Sequence, residues 1–106
     1  MQPVLDGRAW LGRAQAYGTT FIVELFESRR HPGYYHHAMY CTDDTFYDES
    51  RDNKPMRAQE EDGVSFWTLF RAGLSKEHGL VLDDLEWVEV PAEELPLSGQ
   101  RVKAGV

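Results

Sequence analysis

The stretch that decides the fold runs from Tyr34 to Ser50 and reads YYHHAMYCTDDTFYDES. Two runs rich in aromatic and β-favouring residues flank Asp43 and Asp44. Aspartate tolerates the backbone angles of a tight turn, so the stretch predicts a β-hairpin closed by a two-residue loop at these aspartates.

That loop fixes which residues face each other across the hairpin. It places Tyr40 opposite Tyr47 and His37 opposite Ser50. Side chains of a strand alternate between two faces, so the register also decides which side chains share a face. The His37 face carries Tyr35, His37, Met39, Cys41, Phe46, Asp48 and Ser50. The tyrosine face carries Tyr34, His36, Ala38, Tyr40, Thr42, Thr45, Tyr47 and Glu49.

The segments around the hairpin complete a small mixed fold. Residues 19–28, TTFIVELFES, are apolar at most positions and predict a central strand. Residues 64–78 carry apolar side chains at helical spacing, with Asp62 as a candidate N-cap and Gly79 as a natural stop. We therefore predict an α+β fold in which one main helix over residues 64–78 packs on one face of an antiparallel sheet. The sheet has about four strands, from a meander over residues 19–49 and a strand near residues 80–90.

The two ends of the chain have weaker patterns. Residues 1–18 predict a short helix capped by Asp6, with a short strand around Trp10 as the alternative. Residues 51–63 are polar and predict a loop, and residues 92–106 predict a partly mobile tail. No linker divides the chain, so residues 1–106 are expected to form one domain.

Composition indicates a soluble globular protein. The chain has 106 residues, of which 42% are hydrophobic and 27% charged. It contains no apolar run of membrane-spanning length and no visible secretory signal, which favours a cytoplasmic protein without membrane contact. Cys41 is the only cysteine, so an internal disulfide is excluded.

Acidic charge predicts the kind of partner. The net charge is −7, and the six acidic residues between Asp83 and Glu94 are interrupted by no basic residue. Such a balance disfavours direct nucleic-acid binding, which needs lysine and arginine, and permits a basic protein partner. We interpret the chain as a small protein-binding module of an inhibitor, immunity or regulatory type. Solubility alone is the simpler explanation of the acidity. The predicted partner-binding residues are Tyr34, Tyr40, Tyr47, Asp43, Asp44, Glu60, Glu61 and Asp62.

The tyrosine face leaves a question about assembly. If the helix covers the His37 face, the tyrosine face is either open to a partner or paired with a second copy of the chain. A homodimer is therefore one alternative, and packing of the tyrosines inside the domain is another.

A catalytic pair is the rival interpretation. His37 and Asp48 are predicted diagonal neighbours on one face, where a carboxylate can orient an imidazole. The stretch from His37 to Asp48, HAMYCTDDTFYD, loosely resembles the histidine-and-acid hairpin of papain-like and transglutaminase-like enzymes. That resemblance implies a small hydrolase or transferase, with Ser50 as a candidate nucleophile. It departs from those families because no cysteine precedes His37, and Cys41 lies roughly 13 Å away along the strand.

Metal ligands lack a recognisable spacing. The four histidines and one cysteine form no C-x-x-C or H-x-x-x-H pair. His36 and His37 are adjacent and point to opposite faces of a strand, so they cannot share an ion there. The sequence therefore predicts no metal site and no cofactor.

Overall fold

The computed structural model of the protein describes residues 2–43 and 45–106. A six-stranded antiparallel sheet has the order β4-β3-β2-β1-β6, and β5 pairs with the other end of β3. The strands are β1 (Trp10–Ala16), β2 (Thr19–Glu27), β3 (Tyr34–Cys41), β4 (Tyr47–Glu49), β5 (Met56–Arg57) and β6 (Glu86–Glu89). The helices are α1 (Phe66–His78) and α2 (Gly99–Lys103), with short 3-10 turns at Leu82–Asp84 and Ala92–Glu94.

The predicted hairpin register is confirmed. Met39 pairs with Asp48 and Tyr40 pairs with Tyr47. Beyond β4, the Ser50 N–H donates to the His37 carbonyl over 2.9 Å. The meander of β2, β3 and β4 is also as predicted. Of the two turn residues, Asp44 lies outside the described residues.

Helix α1 ends as predicted and begins two residues later. Gly79 adopts a left-handed conformation with φ 65, and its N–H donates to the Leu74 carbonyl. At the other end, the Ser65 side chain caps the helix by accepting from the Thr68 N–H. Asp62, the predicted cap, instead has φ 55 in a tight turn before the helix. That turn is closed by hydrogen bonds between Glu61 and Val64.

The sheet has more strands than predicted, chiefly because the N-terminal segment is a strand. The predicted helix near Asp6 is wrong, and the alternative strand around Trp10 is correct. Every residue of β1 pairs with β2, so the backbone hydrogen bonds of the ladder outweigh the weak helical pattern. Gly12 suits this strand because Trp87 of β6 lies directly over it, and an added Cβ would be 2.8 Å from the indole ring. The strand predicted near residues 80–90 is shorter than expected because residues 82–84 form a 3-10 turn.

The His37 face packs under α1. Phe66, Trp67, Phe70 and Leu74 of the helix are buried against the sheet, in one cluster with Val23, Leu25 and Met39. Helix packing on one face of the sheet is therefore confirmed. The cluster extends to Trp87 of β6, whose ring meets Trp67 edge-on.

The opposite face of the sheet is covered by the C-terminal segment, residues 92–106. For this segment the sequence favours a partly mobile tail, yet here Leu95, Val102 and Val106 are buried against the sheet. The Glu24 carboxylate is fully buried and anchors the segment. It accepts from the Leu97 N–H at 3.0 Å and from the Ser98 N–H at 2.7 Å. The apolar residues of the segment are too sparse and too irregularly spaced to predict this packing.

Candidate functional site

A cleft separates the C-terminal half of α1 from the end of the hairpin. Its volume is about 190 Å³. The sheet contributes His37 from β3 and Asp48 from β4, while the helix contributes Glu77 and His78. The remaining wall is mostly apolar and consists of Met39, Met56, Leu69, Phe70, Gly73 and Leu74. Four titratable side chains therefore line one small apolar cleft.

His37 and Asp48 meet as the register predicts. Their nearest atoms, His37 Nε2 and Asp48 Oδ2, are 3.6 Å apart. The His37 side chain is 18% exposed and that of Asp48 is 46% exposed. Burial lowers the pKa of His37 from its usual value of 6.5, and the Asp48 carboxylate partly opposes that shift. Nδ1 of His37 is buried and has no hydrogen-bond partner among the described residues.

Ser50 lies against a different histidine. Its Oγ is 2.8 Å from His36 Nδ1 and accepts from the His37 backbone N–H at 3.1 Å. Neither contact involves the His37 imidazole, so the structure does not bring Ser50 to it as the catalytic interpretation requires. His36 itself is fully buried beside Phe26, and burial lowers its pKa to about 4.

Cys41, like Ser50, is poorly suited to act as a nucleophile. The thiol is buried on the His37 face, and burial raises its pKa above the usual value of 9.0. A raised pKa disfavours the thiolate, which is the reactive form.

Glu77 and His78 were not predicted as site residues. His78 Nε2 and Glu77 Oε2 are 3.8 Å apart, and the His78 ring packs edge-on against Phe46 at 4.6 Å. Asp48, Glu77 and His78 each offer one ligand atom, and these atoms all lie within 4.8 Å of one another. The only sequence signal is an acid followed by a histidine at the end of a predicted helix. That pattern indicates a helix C-terminus and does not indicate a metal site.

The three predicted partner-binding tyrosines have different surroundings. Tyr47 is 57% exposed. Tyr40 is half-buried, and its hydroxyl donates to the buried Glu24 carboxylate. The Tyr34 hydroxyl accepts from Arg57 at 2.9 Å, and the guanidinium lies over its ring. The tyrosine face is therefore partly occupied by contacts within the domain.

The predicted acidic residues fall at two ends of β3. Glu60, Glu61 and Asp62 are exposed in the loop before α1, close to the start of β3, and Glu61 pairs with Arg57. Asp43 is exposed after the other end of the strand. Eight residues of β3 span about 26 Å, so these carboxylates do not form a single patch. Asp44 lies outside the described residues.

A second acidic surface follows the outer strand β6. We call it the acidic edge; its exposed carboxylates are Asp83, Asp84, Glu86, Glu89, Glu93 and Glu94. Arg8 pairs with Glu89 at 3.6 Å, and Arg29 pairs with Glu93. Within residues 2–43 and 45–106, the other four carboxylates have no ion pair.

No helix within the described ranges is long and apolar enough to span a bilayer. Comparisons with protein-family models, curated proteins and solved structures find no match to this chain.

Proposed function

We propose that the protein is a small protein-binding domain of the inhibitor, immunity or regulatory type. It receives an extended basic segment of a partner protein along the acidic edge. One observation carries the proposal: β6 is the last strand of its sheet and is flanked by exposed carboxylates.

The backbone of β6 supplies the first part of the recognition. All four residues of β6 pair with β1 on the inner side. No segment of the described chain pairs with the outer side of β6. An outer strand presents unpaired N–H and C=O groups, to which an extended peptide adds as a further strand. Val88, which is 55% exposed, gives such a peptide an apolar contact.

The carboxylates supply the second part. Asp83 and Asp84 precede β6 and Glu86 begins it, and the three are exposed without an ion pair in the described ranges. A negative surface of this kind attracts lysine and arginine side chains and accelerates encounter more than it increases final affinity. Association should therefore slow as salt screens the charges.

The experiment uses a fluorescent ten-residue peptide of alternating lysine and valine as the probe. Stopped-flow mixing with the full chain should give an association rate that falls about tenfold between low and high salt. The variant D83N/D84N/E86Q should slow association by a similar factor. The matched variant E60Q/E61Q/D62N removes the same charge from the loop before α1 and should slow association less.

Strand addition has its own test. A probe with proline in place of a central valine keeps the charge but loses the N–H donor at that position and interrupts the ladder with β6, and we expect it to bind at least tenfold more weakly. Equal binding of the two probes would contradict pairing at β6. Equal slowing of association by the two triple variants would mean that the acidic edge is not the preferred binding surface. An association rate independent of salt would contradict the proposal as a whole.

A small hydrolase or transferase is the second candidate, favoured by the contact between His37 and Asp48 within a cleft. The described residues bring neither the Ser50 hydroxyl nor an exposed thiol to that imidazole. H37Q separates the two functions, because it should leave peptide binding unchanged. Loss of a biological activity in a folded, peptide-binding H37Q protein would favour the enzyme.

A further inference from the structure

We infer that the cleft between α1 and the hairpin binds a divalent transition-metal ion of the zinc type, with Asp48, Glu77 and His78 as its ligands. This site is separate from the acidic edge, and it goes beyond the proposed function.

The separations of the three side chains fit a common ion. His78 Nε2 and Glu77 Oε2 are 3.8 Å apart, which is too long for a hydrogen bond. Neighbouring ligands of a tetrahedral zinc ion, bound at about 2.1 Å, lie roughly 3.4 Å apart. The Asp48, Glu77 and His78 atoms all lie within 4.8 Å of one another, so movements of about 1 Å in the side chains bring three ligands to one ion and leave the fourth position to water.

The charge of the cleft also suits a cation. Two carboxylates and one imidazole form the ligand set, and this is donor chemistry that divalent transition metals take. No lysine or arginine is among the described residues that line the cleft. Glu77 and His78 end α1, where the free carbonyls of the last turn favour positive charge. Arg101 pairs with Glu49 and Asp52 and not with Asp48. Within the described residues, the Asp48 carboxylate forms no ion pair with an arginine.

The protein holds the ligands on different elements. Asp48 belongs to β4, which pairs with β3, and His78 is 12% exposed and packed against Phe46. A bound ion would therefore link the hairpin to the end of α1. The single nitrogen ligand favours a borderline ion such as Zn²⁺ over Mg²⁺, which prefers an octahedral shell of oxygen.

His37 is a positioning residue in this arrangement. Its Nε2 lies 3.6 Å from Asp48 Oδ2, while its Nδ1 is buried without a partner in the described ranges. A movement of about 0.5 Å would bring a proton on Nε2 within hydrogen-bond length of the Asp48 carboxylate and orient that carboxylate toward the ion, as outer-shell partners of metal ligands do.

Calorimetric titration of the metal-free full chain with ZnCl₂ tests the site. We expect one ion per chain, with dissociation in the micromolar range or tighter, and a midpoint of thermal unfolding that rises with zinc concentration. H78Q and E77Q should each weaken binding at least tenfold. Circular dichroism of both variants verifies the fold.

Two control variants distinguish specific zinc binding in the cleft from nonspecific binding elsewhere on the protein. H31Q removes an exposed histidine outside the cleft, and E49Q removes a carboxylate of the same strand that pairs with Arg101. Both should bind zinc as the natural sequence does. H37Q should weaken binding less than H78Q while retaining one ion per chain.

Three results would overturn the inference: zinc binding only at millimolar concentration, equal weakening by H31Q and H78Q, or equal affinity for Mg²⁺. Peptide binding by E77Q should be unchanged, since Glu77 lies outside the acidic edge. The metal site and the proposed function can therefore fail independently.

Discussion

Replacing Glu24 with alanine should release the C-terminal segment from the sheet. The Glu24 carboxylate is fully buried and accepts from three donors, which are the Leu97 N–H, the Ser98 N–H and the Tyr40 hydroxyl. A buried donor that loses its acceptor costs about 1–3 kcal/mol. The Ser98 N–H is buried and the other two donors are partly buried, so the three together give a loss of roughly 3–5 kcal/mol, a large part of the 5–15 kcal/mol typical of a domain.

Urea unfolding followed by tryptophan fluorescence measures this loss. Glu94→Ala is the matched control, because it removes an exposed carboxylate from the same segment and should change stability by less than about 0.5 kcal/mol. Tyr40→Phe removes one donor and should cost about 1 kcal/mol. A loss below about 1 kcal/mol for Glu24→Ala would refute the anchoring role of the carboxylate.

Hydrogen exchange locates the effect within the chain. If the Glu24 carboxylate anchors the C-terminal segment, the amides of Leu97, Ser98 and Val102 should lose protection in Glu24→Ala well before those of β2. Uniform loss of protection over the whole domain would mean that the segment and the sheet open as one unit.

Two further predictions concern the core. Phe70→Ala should cost roughly 3–5 kcal/mol in chemical denaturation, because Phe70 is 5% exposed between α1 and the sheet; a loss below about 1 kcal/mol would contradict this packing. His36, whose pKa is lowered to about 4 from 6.5, should make folding less stable as pH falls from 6.5 toward 4. The unfolded chain takes up the proton first, so the loss reaches about 3 kcal/mol at pH 4. His36→Asn keeps a polar atom for Ser50 and should flatten that part of the stability curve; an unchanged curve would place the titration elsewhere.

The parts of the fold that sequence predicts are those set by local chemistry. The hairpin register follows from the period of two along residues 34–50, and Gly79 ends α1 because it accepts a left-handed backbone. The strand β1 was less predictable, since Gly7, Gly12 and Gly18 in and around it give a weak pattern and only pairing with β2 decides its conformation. The C-terminal segment is anchored in part by the Glu24 carboxylate, more than 70 residues earlier, for which no local signal exists.

The candidate metal site also depends on contacts between residues that are distant in the sequence. Asp48 and His78 are 30 residues apart in the sequence, and no spacing rule connects them. They meet because α1 runs along β3 in the same direction, from Phe66 beside Tyr35 to His78 beside Phe46, which periodicity does not reveal. His37 and Asp48 were predictable as neighbours because a single hairpin carries both.

The packing of Trp87 over Gly12 couples the substitutions that these two positions can accept during evolution. Any side chain at position 12 would strike the indole, and Trp67 and Phe70 surround that ring so that it cannot move aside. Divergent copies of this gene should therefore keep glycine and tryptophan together or exchange both, with a larger residue at position 12 appearing only beside a smaller one at position 87. The order of those changes is also constrained, because shrinking Trp87 first leaves a cavity whereas enlarging Gly12 first creates a clash.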